Sequence, residues 1–98
     1  MNNENLIMID LFCVYHGIEV AFITALQDYN LIEIIVIEEK QYFPIHALSS
    51  VEKMIRLYHE LNINLEGIDV IMSLLNKIDS LQNQLLLAQN RIIFFEKN

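Results

Sequence analysis

The stretch that decides the fold covers residues 64–95 and reads NLEGIDVIMSLLNKIDSLQNQLLLAQNRIIFF. Apolar residues recur along it at alternating steps of three and four, which is the heptad pattern of helices that wrap around each other. Asn64 is a good N-cap, and Glu66 and Asp69 suit the positive end of a helix dipole. We therefore predict one long helix with a dimerisation seam of Ile71, Leu74, Ile78, Leu81, Leu85, Ala88, Ile92 and Phe95.

The length of this helix explains why it should need a partner. It would run about 48 Å, whereas a compact domain of this size has a radius of gyration near ~13 Å. We expect a homodimer, and the alternative is a helix folded back on its own domain. The seam leaves open whether the two helices run parallel or antiparallel. Four more apolar residues lie off the seam and leave open a contact with the partner's globular part or a larger assembly: Leu86, Leu87, Ile93 and Phe94.

Length and charge bound the class of protein. The chain has 98 residues, enough for one domain with an appended helix, and we place these parts at residues 1–63 and 64–98. Its 13 acidic and 6 basic residues give a net charge of −7. Nucleic-acid affinity depends largely on Lys and Arg that neutralise phosphates. The charge therefore argues against DNA and favours a basic protein partner.

The residue pattern favours a protein without enzymatic activity. Zinc needs three or four converging ligands, and Cys13 and His16 have only His46 and His59 to join them, without a paired motif. The two glycines lie too far apart for a phosphate-binding loop. We predict no catalytic residue, no metal and no cofactor, and we expect Cys13 to pack inside the helices.

The cysteine content and the apolar runs favour the cytoplasm. A single cysteine cannot form an internal disulfide, which fits a reducing compartment. No apolar run approaches the roughly 18–20 residues that a membrane span needs. The N-terminal residues 1–5 lack the positive charge of a secretion signal. We therefore expect a cytoplasmic protein.

The first part of the chain predicts a helix-turn-helix. Apolar spacing indicates a helix from Leu6 to His16, and Gly17 suits its C-terminal end. A second helix follows from about Glu19 to Tyr29. Two short helices around a tight glycine turn are typical of this motif. The side chains predicted to face inward are Ile9, Phe12, Cys13 and His16 on the first helix, and Val20, Phe22, Ile23 and Leu26 on the second.

A hairpin and a third helix should follow. Residues 32–37 are rich in β-branched side chains and predict a strand, residues 38–41 predict a turn, and Tyr42 and Phe43 begin a short return strand. Because an isolated hairpin is marginally stable, we expect it to pack on the helices. The third helix is predicted over residues 47–61, with an inner face of Val51, Met54, Ile55, Tyr58 and Leu61.

The order of these elements resembles the winged helix-turn-helix of the MerR superfamily over nearly the whole chain. The resemblance rests on residues 15–18, on residues 22–32, and on Tyr42 and Phe43. Its most specific part is residues 56–68, RLYHELNINLEGI, which is similar to the chaperone-modulator branch, the CbpM family. The resemblance implies a mainly α fold: a MerR-like winged helix-turn-helix with a short β-hairpin wing and a long C-terminal coiled-coil helix.

The resemblance also implies a function. A chaperone modulator of this kind binds the J-domain of a DnaJ-type co-chaperone (the CbpA kind) and inhibits or tunes it. J-domains of that family carry a basic helix, which suits an acidic chain. DNA-binding members place Arg and Tyr on the second helix and the wing, where this chain has no basic residue in positions 24–29 and reads Glu38-Glu39-Lys40. The alternatives are a MerR-family DNA-binding transcription regulator and a coiled-coil adaptor for some other partner.

The candidate contact surface consists mainly of carboxylates on the second helix, the wing and the last corner. The alternative for these carboxylates is an ordinary solvated surface. Arg56 and His59 share a face of the third helix, and either contact the partner or lock the corner through nearby Glu60 and Glu66. The predicted partner-binding residues are Asp28, Glu33, Glu38, Glu39, Arg56, His59, Glu60 and Glu66.

Overall fold

Four α-helices and a three-stranded antiparallel sheet make up the fold in the computed structural model, which describes residues 5–97. The outer limits of the two predicted parts, residues 1 and 98, lie outside the described residues, as do residues 1–4 of the N-terminal segment. The elements are β1 (Leu6–Met8), α1 (Ile9–His16), α2 (Val20–Asp28), β2 (Ile35–Ile37), β3 (Lys40–Pro44), a 3-10 turn (Ile45–Ala47), α3 (Leu48–His59) and α4 (Leu65–Lys97). This architecture confirms the predicted fold class.

The helix-turn-helix forms around Gly17, as predicted. Gly17 caps α1 in the left-handed conformation, with a φ of 66° that glycine adopts without strain. The amide of Ile18 donates to the carbonyl of Cys13 at 3.0 Å, so the chain turns sharply and α2 lies 120° from α1. Of the predicted inward side chains on α2, only Val20 is misplaced, since it is 37% exposed at the first position of the helix.

The N-terminal end of the first predicted helix is a strand instead. Residues Leu6–Met8 form β1, which pairs antiparallel with β3 and places Leu6 opposite Pro44 and Met8 opposite Tyr42. Local spacing favoured a helix here, but the open edge of β3 favours a strand, because its unpaired N–H and C=O groups form hydrogen bonds with a third strand. The hairpin is thereby extended and fixed to the start of α1.

The wing is a hairpin of β2 and β3, shorter than predicted at its first strand. Its turn consists of Glu38 and Glu39, whose φ angles are 50° and 67°. Two consecutive positive φ angles are those of a type I′ turn, which matches the twist of the strands but normally selects Asn and Gly. Ile32, predicted in the strand, is buried in the core from a loop position.

The third helix begins after a 3-10 turn and ends two residues before the predicted end. Val51 and Met54 are fully buried, and Ile55 is partly buried. Leu61 was predicted to face inward, but it follows the end of α3 and is 64% exposed. Tyr58 is 40% exposed and closes the edge of the core.

The start of α4 belongs to the hydrophobic core. The side-chain oxygen of Asn64 accepts the amide hydrogen of Gly67 at 2.8 Å, which confirms Asn64 as the N-cap. A Cβ at position 67 would lie 2.7 Å from Cγ2 of Ile63 and 3.1 Å from Oδ1 of Asn64, so glycine lets the cap residue approach closely. Ile68 and Met72 complete a core drawn from the four α-helices, β3 and the loop before β2: Ile9, Phe12, Cys13, Phe22, Ile23, Leu26, Ile32, Phe43, Val51, Met54, Ile68 and Met72.

Beyond Met72, α4 leaves the globular part. All side chains of residues 73–96 are exposed, and we call this segment the arm. The molecule extends 59 Å along its longest axis and has a radius of gyration of 17.8 Å, well above the ~13 Å of a compact chain of this size. The alternative of a long helix folded onto its own domain is therefore wrong for this chain.

Candidate functional site

The surface that a winged helix-turn-helix would turn toward a partner is formed by α2 and the wing. The outward residues of α2 include Thr24, Gln27 and Asp28, and this helix contains no Lys or Arg. At the wing turn, Glu38 and Glu39 are exposed, with exposed Lys40 directly after them. The surface is therefore neutral to negative, which is unsuited to phosphate oxygens and suited to cationic side chains.

The structure places the predicted partner-binding carboxylates at separate points of this surface. Asp28 is the last residue of α2, and Glu33 lines a cavity of about 570 Å³ with Gln27 and His46. Glu38 and Glu39 lie at the tip of the wing. All four are exposed.

Arg56 and His59, which were predicted to share a face of α3, lie three residues apart on this helix and line different cavities. Arg56 lines a cavity of about 260 Å³ together with Glu60 and His16. His59 lines two other cavities, of about 370 and 320 Å³, and its ring packs on Tyr58 with centroids 5.2 Å apart. The structure therefore brings the two side chains to separate cavities, and a partner contact by either one stays a prediction.

Glu66 is held by a tyrosine. The hydroxyl of Tyr29 donates to Oε1 of Glu66 at 2.8 Å, which joins the end of α2 to the first turn of α4. The pKa of the Glu66 carboxyl is lowered, mainly by the hydrogen bond from its own backbone amide and then by Tyr29. The pKa of Tyr29 is raised, first by its hydrogen bond to the Glu66 carboxylate and then by burial and by the charges of Glu66 and Asp69. Glu66 is thus anchored as a carboxylate.

An aromatic cleft lies beside the turn between α1 and α2, and the sequence reasoning did not find it. The ring centroid of Phe22 is 4.6 Å from that of Tyr58 and 5.9 Å from that of His59. The sequence predicted Tyr58 on the inner face of the third helix and His59 as a corner or partner contact, because nothing in a single sequence places Phe22 against them. The cleft has a volume of about 370 Å³ and is lined by Gly17, Ile18, Glu19, Ala21, Phe22, Ala25, Tyr58, His59 and Leu65.

The arm presents the predicted dimerisation seam to its surroundings. Leu74, Ile78, Leu81, Leu85, Ile92 and Phe95 are each at least half exposed, Ala88 is exposed, and Ile71 is partly buried at the base. Leu86, Leu87, Ile93 and Phe94, which lie off the seam, are also exposed on the same segment. Whether a second chain covers these residues stays a prediction.

The only cysteine is a packing residue. Cys13 is 3% exposed within the core. Burial, and then the charge of Asp10, raise the pKa of its thiol, so the reactive thiolate is disfavoured. No group of three His, Cys, Asp or Glu side chains within residues 5–97 has the arrangement of a metal site.

The family comparison agrees with this geometry. A family model described as MerR HTH family regulatory protein matches residues 7–90. The chain belongs to this family. The MerR match spans the helix-turn-helix, the wing, α3 and most of α4, so the long helix belongs to the family pattern together with the globular part. Searches of curated proteins and of solved structures gave no match.

Within residues 5–97, no single helix of this MerR-family chain is both long enough and apolar enough to cross a membrane. Taken together, α1 and α2 have the length and apolar composition of a span, but they are bent by 120° at the turn between them.

Proposed function

We propose that this MerR-family protein is a dimeric, non-enzymatic modulator that binds the J-domain of a DnaJ-type co-chaperone and restrains it. One observation carries the proposal: the two elements with which a winged helix-turn-helix reads DNA, α2 and the wing turn, hold carboxylates where phosphate contacts would need cations. The resemblance of residues 56–68 to the CbpM family supplies the identity of the partner.

The wing turn gives this proposal its most specific support. Glu38 and Glu39 both adopt positive φ angles. Such angles cost a residue with a Cβ atom, other than Asn or Asp, roughly 1–2 kcal/mol each. Asn followed by Gly would form the same turn with less strain. Two exposed carboxylates are thus kept where backbone stability alone would not select them, and strain of this kind clusters at functional sites.

Charge complementarity supports a basic helix as the ligand of this surface. The chain carries a net charge of −7, and Asp28, Glu33, Glu38 and Glu39 are all solvent-exposed on the α2 and wing side. A negative surface speeds the approach of a basic partner, and the effect weakens as salt screens the charges. Separate exposed carboxylates fit this role, because steering needs a field and not a single pocket.

The arm supports a dimeric working state. Its seam exposes six large apolar side chains from Leu74 to Phe95, and none of the six belongs to the buried core. Ile78, near the base of the arm, lines a cavity with Ser50 and Lys53 of α3. Burying each Leu or Ile side chain contributes about 1.5–3 kcal/mol. A second copy of the chain, with the same heptad pattern, is the simplest partner that covers the whole seam.

A binding titration with the full-length DnaJ-type co-chaperone of the same genome tests the proposal. The double variant Glu38→Asn with Glu39→Gly should relieve the strained turn, raise the free energy of unfolding by about 1 kcal/mol or more, and weaken binding. The matched control, Asp10→Asn with Asp79→Asn, removes two charges elsewhere and should weaken binding much less. A complete lack of complex at low salt would refute the proposed partner.

The second candidate is a DNA-binding transcription regulator, which the family match favours equally. It predicts that fluorescence anisotropy detects binding to duplexes from the gene's own upstream region. Affinity should then fall steeply as salt rises, because phosphate contacts release counterions. The absence of binding to any such duplex at low ionic strength would exclude this candidate.

A further inference from the structure

The aromatic cleft combines three rings at the junction of α2 and α3. Phe22 is almost fully buried, and the rings of Tyr58 and His59 pack against it with centroids 4.6 and 5.9 Å away. Tyr58 and His59 also contact each other at 5.2 Å, nearly perpendicular. Both are exposed, so π-electron surface faces the solvent in a concave site.

The charges around the cleft favour a cation. Glu19 lines it with an exposed carboxylate, and no Lys or Arg is among the residues of its wall. The helix α3 ends at His59, so the negative end of its dipole is at the cleft. The first turn of α2 alone would attract an anion, but Glu19 at its N-cap position supplies negative charge there.

The cleft is open because α2 contributes small side chains to its wall. Ala21 and Ala25 lie one helical turn apart and both line the cleft. The volume of about 370 Å³ accommodates one long side chain from another protein. A single buried anchor of this kind carries much of the affinity in many protein interfaces.

We propose that the cleft binds one Arg or Lys side chain from the basic helix of the partner, with the cation against the rings and paired with Glu19. This inference rests on the proposed function and names its anchoring contact. Arg fits better than Lys, because its planar guanidinium stacks on aromatic rings and meets a carboxylate with two hydrogen bonds. The carboxylates of α2 and the wing then steer the partner, whereas the cleft holds it.

The experiment is calorimetric titration of full-length variants with the full-length DnaJ-type co-chaperone. Glu19→Gln keeps the size of the side chain and should weaken binding roughly tenfold. Ala21→Leu fills the cleft and should weaken it at least as much. Asp79→Asn and Asn83→Leu, both on exposed positions of the arm away from the cleft, are the matched controls, and each should change affinity less than about twofold.

A double-mutant cycle identifies the cation. Single Arg→Gln and Lys→Gln variants of the partner's basic helix should include one whose effect disappears in the Glu19→Gln background. A complex that forms normally with both cleft variants would overturn this inference and leave the proposed function standing. If Ala21→Leu weakens binding and Glu19→Gln does not, the cleft holds an apolar side chain, and the proposal that it binds Arg or Lys is overturned. If the wild-type protein forms no complex, the proposed function and this inference both fail.

Discussion

The globular part, residues 5–72, and the arm, residues 73–96, treat apolar side chains in opposite ways. In the globular part, twelve apolar residues, including Leu26 and Phe43, are buried by the chain itself. In the arm, side chains of the same chemical types are about half exposed, among them Leu81 at 54%. Apolar side chains therefore have two different roles in this chain. One set of side chains stabilises the fold, and the other is available to a second molecule.

The largest expected difference in stability comes from making the same Leu→Ala substitution in each of the two regions. Leu26→Ala removes a fully buried side chain and should lower the free energy of unfolding by about 2–5 kcal/mol at every protein concentration. Leu85→Ala on the arm should act only through association, so its effect should vanish on dilution. Urea unfolding at several concentrations measures both. Equal, concentration-independent losses would contradict the distinction between the regions.

A charge in the seam gives the next largest effect. Leu81→Lys should weaken self-association by roughly 100-fold or more, because each dimer would lose two buried leucines of about 1.5–3 kcal/mol and gain two like charges. Asn83→Lys, two positions away and off the seam, is the control. Sedimentation velocity distinguishes the species. A wild-type protein that stays monomeric at high micromolar concentration would show that the seam serves another partner.

The joint between the two regions should show a smaller effect. Asn64→Ala removes the oxygen that accepts the amide hydrogen of Gly67 and should lower the free energy of unfolding by about 1 kcal/mol. Asn64→Asp keeps an acceptor at the same place and should be nearly neutral. Thermal unfolding compares the two variants. Identical melting curves would mean that the cap is not what fixes the start of α4.

The smallest effect concerns the bond from Tyr29 to Glu66. Tyr29→Phe should raise the pKa of Glu66 only partway toward its ordinary value of 4.5, since the backbone hydrogen bond is the larger cause of the lowering. Because the pKa of Glu66 is lower in the folded state than in the unfolded state, its ionisation stabilises the fold at pH values above the unfolded-state pKa. This stabilisation is lost as the pH falls through the folded-state pKa. The bond's contribution to stability should therefore fade in acid. NMR titration of the Glu66 side chain measures the pKa, and an unchanged value would show that Tyr29 has no influence on it.

The pKa of Tyr29 is shifted in the opposite direction to that of Glu66. It is raised in the folded protein, so its contribution to stability is complete below the unfolded pKa and is lost as pH rises through the folded one. The bond between Tyr29 and Glu66 is therefore intact across the neutral range and weakens at both extremes. This behaviour suits a fixed joint between α2 and α4, and not a switch.

Several elements of the fold were predictable because their signals are local. The turn at Gly17, the cap at Asn64 and the heptads of α4 each depend on residues a few positions apart. The strand Leu6–Met8 was not predictable, because its partner β3 is more than thirty residues away. The exposure of Leu61 was missed because the end of α3 was placed two residues too late.

The candidate site also has features that were predictable from the sequence and features that were not. The acidic character of α2 and the wing was evident from the composition of residues 24–29 and 38–40. The cleft between Phe22 and Tyr58 was not, since it joins two helices that are separated by the whole wing. The separate cavities that Arg56 and His59 line also depend on the elements that pack around α3, which a spacing of three does not fix.

The sequence by itself determined the helix-turn-helix, the wing turn, the extent of α4 and the negative charge. These follow from short-range backbone preferences and from simple counting of charges. Only the tertiary structure decided which apolar residues are buried, where the third strand lies and that three aromatic rings form one cleft. The physical reason is that burial and ring contacts depend on residues far apart in sequence, whose meeting is set by the packing of the whole globular part.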